Sequence, residues 1–328
     1  MVRGVSFSNF ALRVGLALAD LIASRLPARA AYALADLAGE TWFRAAPARR
    51  ALVAENLRRV CAATGRPTSG AAFRKLVRQA FIEHARYYLE LVRAPHYPLD
   101  RIEEKVTTLE WDRWDPILRA GAVAATAHLG NFEPYGSVIV RRGIKAMAPV
   151  ERIEPRALFD FLRARRGGGR GIALVPLDEA RRPMTEALKR REVVGLVADR
   201  DLAGSGIKVP FFGRLATMPS GPAQLAISSG LPVLAAACLR TGPDTFEARA
   251  WPVEVERTGN RRTDVAALTL ALTRRLEDAI ALAPEQWFGS FQPIWLDQLP
   301  AGRRRRARRR PRTRPSTPST SDAGEPAQ

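Results

Sequence analysis

Apolar positions recur at helical spacing through the first hundred residues. They follow one another at intervals of three and four over residues 51–61 and 73–92, which is the period of an amphipathic helix. Prolines interrupt this region and end it, at Pro27, Pro47, Pro95 and Pro98. The pattern therefore predicts a mostly helical region over residues 8–100.

From about residue 103 onward, short apolar runs alternate with helical patterns. Six runs have the length of buried strands: 121–127, 145–150, 172–176, 193–198, 233–238 and 246–255. A last amphipathic helix is predicted over Thr263–Ala283. The alternation predicts an α/β fold, with a central mixed or mostly parallel sheet flanked by helices. We expect residues 1–100 and 101–298 to form one domain.

The two ends of the chain differ in composition from its body. Residues 10–26 are rich in Leu, but Arg13, Asp20 and Arg25 interrupt them, and no run of 18 apolar residues occurs. This predicted helix could lie on a bilayer or pack against the body. Residues 299–328 are rich in Arg, Pro, Ser and Thr, a composition that predicts a disordered tail.

Positive charge narrows the choice of partners. The formal net charge is +19, and nine arginines lie in residues 303–314. The rest of the chain still carries a positive excess, which favours an anionic membrane surface or a nucleic acid as partner. The body has no recognised nucleic-acid motif, so no specific nucleic acid is expected. Two distant cysteines, Cys61 and Cys238, predict neither a disulfide framework nor a metal cluster.

The most informative segment follows the first predicted strand. His128 comes directly after it, and Glu133 lies five positions later; such strand ends carry the sites of open α/β sheets. A neutral imidazole can take a proton from an attacking hydroxyl, and a carboxylate on its other nitrogen fixes the tautomer. The amides of Gly130 and Asn131 are candidate donors to an oxyanion.

A purely structural interpretation of this segment stays open. His128 could be a packed core histidine, and Glu133 an acid favoured at a helix N-terminus. The other histidines, His84 within a helix and His96 beside prolines, are interpreted as structural.

A second polar cluster, Asp199, Arg200 and Asp201, follows another predicted strand. If the two strands are parallel neighbours, both loops open on one edge of the sheet. These side chains could then bind sugar hydroxyls, steady the histidine or pair with each other. Glu151 also lies at a strand end, and residues 204–206, which include Ser205, predict a flexible turn.

The segment His128–Glu133 resembles the H-x4-D/E motif of the lipid A lauroyl and myristoyl acyltransferases. Glu55-Asn56-Leu57 and the stretch 284–295, with Trp287-Phe288, resemble other landmarks of that family over residues 8–298. Within it, residues 197–233 are similar to the actinobacterial phosphatidylinositol mannoside acyltransferases. The matching segments are Asp199-Arg200-Asp201, Phe211-Phe212-Gly213 and Met218-Pro219. The arginine-rich tail and Gly167–Gly169 depart from the family pattern.

The resemblance implies transfer of a palmitoyl chain from coenzyme A to the 6-hydroxyl of a mannose on a phosphatidylinositol mannoside. It implies His128 as the catalytic base and Glu133 as the acid that orients it. By the same resemblance, Glu151 belongs to the substrate groove. Further candidate substrate contacts are Asp199, Arg200, Asp201 and Ser205, while Arg166 and its neighbours could meet coenzyme A phosphates. No cofactor or metal is expected, and the co-substrate would be a thioester of coenzyme A or a carrier protein.

Three other interpretations compete with this one. A lipid A or other glycolipid acceptor would keep the chemistry, whereas a basic protein that binds nucleic acid through its tail, or a scaffold without activity, would not. The intact His128–Glu133 pair argues against the scaffold. A peripheral location on the cytoplasmic face of the inner membrane is expected, because the basic tail would bind its anionic lipids.

Overall fold

The computed structural model describes residues 12–299, apart from 13, 14, 19, 23, 167–171 and 203. The predicted helix over 10–26 lies only partly within this set. The predicted disordered tail lies outside it, except for Leu299, as do Gly167–Gly169.

Helices fill the N-terminal region, as the apolar spacing predicts. They span Ala28–Ala45, Pro47–Ala63, Gly70–Arg93 and Leu99–Glu104. Pro47 opens its helix, where the first turn needs no N–H partner. The first and third helices approach closely at Gly39, where a Cβ atom would lie 2.6 Å from the Cα atom of Ile82. Glycine therefore permits this close helix packing.

The seven strands of the main sheet run in the order β1-β9-β8-β2-β5-β3-β4. Neighbours are parallel except β8 and β9, which form an antiparallel pair. The strands are β1 Val106–Thr108, β2 Val123–Thr126, β3 Ala146–Val150, β4 Ala173–Pro176, β5 Val193–Val197, β8 Val233–Gly242 and β9 Thr245–Val253. The predicted mostly parallel sheet is thus confirmed.

Both faces of the sheet are covered by side chains. In β2, Val123 and Ala125 join the largest apolar cluster, while Ala124 on the opposite face packs with a second cluster. A strand buried on both faces has few polar positions, which explains its apolar sequence. The remaining helices are Trp111–Arg119, Phe132–Arg141, Arg156–Arg166, Arg181–Lys189, Gly221–Ser229 and Arg261–Leu282.

The strand order places the polar loops together. Strands β2 and β5 are parallel neighbours, with Thr126 opposite Val197. Two residues past this pair, His128 faces Asp199 across the carboxyl edge of the sheet. Strand β3 pairs with β5 in the same direction, so Glu151 also follows a strand on this edge.

Sequence patterns missed three strands. The short β1 lies at the edge of the sheet, and β6 (Ile207–Phe211) and β7 (Arg214–Met218) form a separate hairpin. Its two-residue turn has positive φ at both Phe212 (47°) and Gly213 (74°). Such turns normally carry Asn-Gly or Asp-Gly, so Phe-Gly gave no turn signal.

Candidate active site

His128 lies in a loop that is fixed by backbone hydrogen bonds on several sides. Its carbonyl accepts the Phe288 N–H at 2.6 Å, and the amides of Gly130 and Asn131 donate to the carbonyls of Gln286 and Cys238. The His128 side chain keeps 34% of its surface exposed. The loop therefore presents a partly open imidazole on a rigid backbone.

Asp199 binds the imidazole. Its Oδ1 lies 2.6 Å from His128 Nδ1, and its Oδ2 accepts the His128 backbone N–H at 3.1 Å and the Trp287 indole N–H at 2.8 Å. Burial alone would raise the pKa of the Asp199 carboxyl, but the charge of His128 and the hydrogen bonds from His128 and Trp287 hold this pKa below its usual range. Asp199 is therefore an ionised carboxylate.

This contact decides the tautomer of His128. An ionised carboxylate only accepts hydrogen bonds, so Nδ1 must carry a proton and donate a hydrogen bond to Asp199. The other ring nitrogen, Nε2, is then free of its proton in the neutral ring and can accept one from a substrate. This is the arrangement of a general base with its orienting acid.

The prediction that Glu133 orients His128 through its second ring nitrogen is corrected by this geometry, because Asp199 holds Nδ1. Glu133 instead lies in the first turn of the helix Phe132–Arg141, which Asn131 caps by accepting the Glu133 N–H at 3.2 Å. The carboxylate of Glu133 is buried at a helix N-terminus, where the helix dipole favours negative charge.

The two predicted oxyanion donors are also corrected. The Gly130 N–H donates to the Gln286 carbonyl at 3.0 Å, and the Asn131 N–H donates to the Cys238 carbonyl at 2.8 Å. Neither amide faces an open site, because β8 and the segment after the last long helix lie against this turn. Sequence alone could not show these two long-range contacts.

The remaining predicted substrate residues fall into different environments. Asp199 is 1% exposed, and both of its carboxylate oxygens are hydrogen-bonded to His128 or Trp287. Asp201 accepts the Gly206 N–H at 2.9 Å and so orders its own turn. Glu151 and Ser205 are exposed and Arg200 is half-buried. Arg166 ends the helix Arg156–Arg166, but its side chain lies outside the described residues.

His84 lies beside the site in an aromatic stack. Its ring stacks on Phe288 with centroids 4.6 Å apart and on Tyr88 at 5.2 Å. Burial first, and then the nearby positive charges of His128 and Arg49, lower the pKa of His84 to about 3. The ring is therefore neutral near pH 7, and it packs as the structural interpretation expects.

A buried ionic network holds the far side of the histidine loop. The Asn131 side-chain amide donates to Glu90 Oε2 at 2.9 Å, and Arg240 Nη2 donates to the same oxygen at 2.8 Å. Arg240 also pairs with Glu83, and its backbone exchanges two hydrogen bonds with the Gln286 side chain. The loop is thus tied to the N-terminal helices, a role for Glu90 that the sequence did not reveal.

Comparison with known proteins identifies the family of this site. The family model described as bacterial lipid A biosynthesis acyltransferase matches residues 9–297. The chain belongs to this acyltransferase family. The protein is therefore an acyltransferase.

Two relatives of this acyltransferase are both named phosphatidylinositol mannoside acyltransferase. The one from Mycobacterium tuberculosis is 35% identical over 236 residues, which cover 69% of this chain and 72% of the relative. The one from Mycolicibacterium smegmatis is 34% identical over 238 residues, which cover 70% of this chain and 76% of the relative.

Two further properties of this acyltransferase concern its described residues only. No helix among them is both long and apolar enough to span a bilayer. No group of three or more His, Cys, Asp or Glu side chains among them is arranged to hold a metal ion.

Proposed function

We propose that this acyltransferase moves a palmitoyl chain from coenzyme A to a hydroxyl of a mannose on a phosphatidylinositol mannoside. The single observation that carries the chemistry is the His128–Asp199 hydrogen bond at the carboxyl edge of the sheet. The names of the two relatives support the acceptor.

The proposed mechanism is a direct attack within a ternary complex. The mannose hydroxyl gives its proton to His128 Nε2 while its oxygen forms a bond to the thioester carbonyl carbon. Asp199 stabilises the imidazolium that results. The carbon–sulfur bond then breaks, and the imidazolium returns the proton to the leaving thiolate, so no acyl-enzyme is formed.

The substrate contacts are proposed from position and charge. Arg200 directly follows Asp199, is half-buried and forms no ion pair with any described residue; we assign its guanidinium to an oxygen of the acceptor. Glu151, Asp201 and Ser205 lie in loops on the same edge and would contact the sugar. Arg166 would meet a phosphate of coenzyme A.

A radiolabelled transfer assay tests the acceptor. Purified protein receives palmitoyl-coenzyme A with a phosphatidylinositol mannoside, and separately with a lipid A precursor. We expect label on the mannoside alone. Label only on the lipid A precursor would favour the second candidate, a lipid A or other glycolipid acceptor, which the description of the family supports.

We also propose that the N-terminal helices bind the cytoplasmic face of the inner membrane, where the acceptor lipid would lie. Large apolar side chains face solvent there: Leu34 is 53% and Leu37 63% exposed on one face of Ala28–Ala45, and Leu18, Leu21 and Ile22 are each at least 50% exposed. The net charge of +19 adds attraction to anionic lipids.

Vesicle co-sedimentation tests this surface. The double variant Leu34→Asp/Leu37→Asp should bind anionic vesicles about 100-fold more weakly, because two leucines no longer leave water. The matched control is Leu215→Asp/Leu282→Asp, which changes leucines that are 55% and 44% exposed elsewhere. Equal binding by both double variants would refute the proposed surface.

A further inference from the structure

Residues 286–288 contact both members of the catalytic pair. The Gln286 carbonyl accepts the Gly130 N–H, and the Phe288 N–H donates to the His128 carbonyl. Between them, the Trp287 indole N–H donates to Asp199 Oδ2. One short segment thus holds the histidine loop through its backbone and the aspartate through a side chain.

The Trp287 ring is itself fixed. It is 0% exposed and lies edge-on to Phe211 and Trp295, with centroids 5.8 and 6.1 Å away. Gly289 leaves the space for the indole–carboxylate contact, because a Cβ atom there would lie 2.5 Å from Asp199 Oδ2 and overlap Trp287 Nε1. The indole N–H therefore has one position available, and it is directed at the carboxylate.

We propose that Trp287 is a positioning residue that sets the orientation and the charge of Asp199, and through Asp199 the basicity of His128. The Trp287 indole N–H and the His128 backbone N–H both hold Oδ2, and this opposes rotation of the carboxylate and keeps Oδ1 on His128 Nδ1. The positive end of the indole N–H also faces the pair and disfavours the imidazolium. This inference rests on His128 being the base.

The charged groups near His128 and Asp199 determine how the titration of His128 should respond to loss of the indole N–H. Among the described residues, Asp199 from the end of β5 and His84 from the helix Gly70–Arg93 both interact electrostatically with His128. His84, with a pKa of about 3, stays neutral over the pH range in which the His128 titration would be followed. Removal of the indole N–H should therefore favour the protonated form of His128, and the ring should titrate at a higher pH.

The test compares two buried tryptophans of one cluster. Trp295 is also 0% exposed, but its indole N–H donates to the Phe211 carbonyl at 2.7 Å. In Trp287→Phe, we expect the midpoint of the His128 ring-proton titration, followed by NMR without substrate, to rise by about 0.5–1 pH unit. In Trp295→Phe, which loses an equally buried donor, the midpoint should not move.

Kinetics give a second readout. In Trp287→Phe, kcat should fall about tenfold with KM unchanged, because an orienting contact contributes to the transition state and not to substrate binding. A titration midpoint that is the same in both tryptophan variants would overturn the proposal. The NMR titration needs no acceptor lipid, so its outcome is independent of whether the proposed acceptor is right.

A glycine variant covers the case in which Trp287→Phe does not fold. Gly289→Ala keeps the indole but forces its N–H and the Asp199 oxygen apart. It should raise the His128 midpoint as well, while Gly221→Ala, where a Cβ atom meets nothing within 4 Å, should not. An unmoved midpoint in Gly289→Ala would then overturn the proposal.

Discussion

Replacing His128 by alanine should reduce acyl transfer by about 10³–10⁴-fold, the upper part of the roughly 10²–10⁴-fold range that a positioned general base contributes. In this variant no group accepts the hydroxyl proton at the position of Nε2, because Asp199 is buried behind the ring and fully hydrogen-bonded. The loss should appear in kcat, measured with palmitoyl-coenzyme A and the accepted lipid.

Two controls separate chemistry from folding in this experiment. The His128→Ala variant leaves the buried Asp199 anion with one partner fewer, so some stability loss is expected, and thermal unfolding should be followed alongside. The His128→Gln variant can still donate a hydrogen bond to Asp199 but is not a base, so it should be stable and equally inactive. Wild-type turnover in either variant would disprove the mechanism.

The fold was predictable because each buried strand of this sheet is a short apolar run between helical patterns. The six predicted strands are all present, and β2 shows why. A strand that is packed on both faces consists of consecutive apolar residues, so it is easily recognised in the sequence. The hairpin β6–β7 was missed because Pro210 lies inside β6, where a proline argues against a strand, and because its turn is Phe-Gly. Strand β1, with three residues, is too short to carry a pattern.

The position of His128 was predictable, but its partners were only partly so. A strand-end histidine and a strand-end Asp199 are local features, and they meet because β2 and β5 are parallel neighbours. Local sequence patterns do not determine the order of strands in a sheet. Glu133, which is close to His128 in sequence, was therefore the more obvious candidate for the acid that orients the imidazole. The hydrogen bond from Trp287 to Asp199 joins residues 88 positions apart and has no local signal.

The isosteric variants Asp199→Asn and Glu133→Gln should differ strongly in their effect on kcat. In Asp199→Asn, the amide oxygen must take the position of Oδ2, because the Trp287 and His128 N–H groups both donate there. The amide NH₂ group then points at His128 Nδ1, which can only accept it in the tautomer that carries its proton on Nε2. The base is lost although the side chains are isosteric, and kcat should fall by roughly 10³–10⁴.

Glu133→Gln should leave the His128–Asp199 contact intact. Its isosteric amide keeps the same place in the first turn of Phe132–Arg141, so we expect kcat to fall less than about tenfold, with a small loss of stability from the helix dipole. The comparison is direct, since both variants remove one charge and no volume.

The comparison of these two variants shows which carboxylate orients the His128 imidazole. A large loss in Asp199→Asn with a small loss in Glu133→Gln assigns the orienting role to Asp199. If Glu133→Gln instead loses as much activity as Asp199→Asn, both carboxylates act on the imidazole during turnover, and Glu133 must approach Nε2 in the substrate complex. A small loss in Asp199→Asn would mean that the hydrogen bond at Nδ1 does not control the tautomer, and the general-base assignment would then need another orienting group.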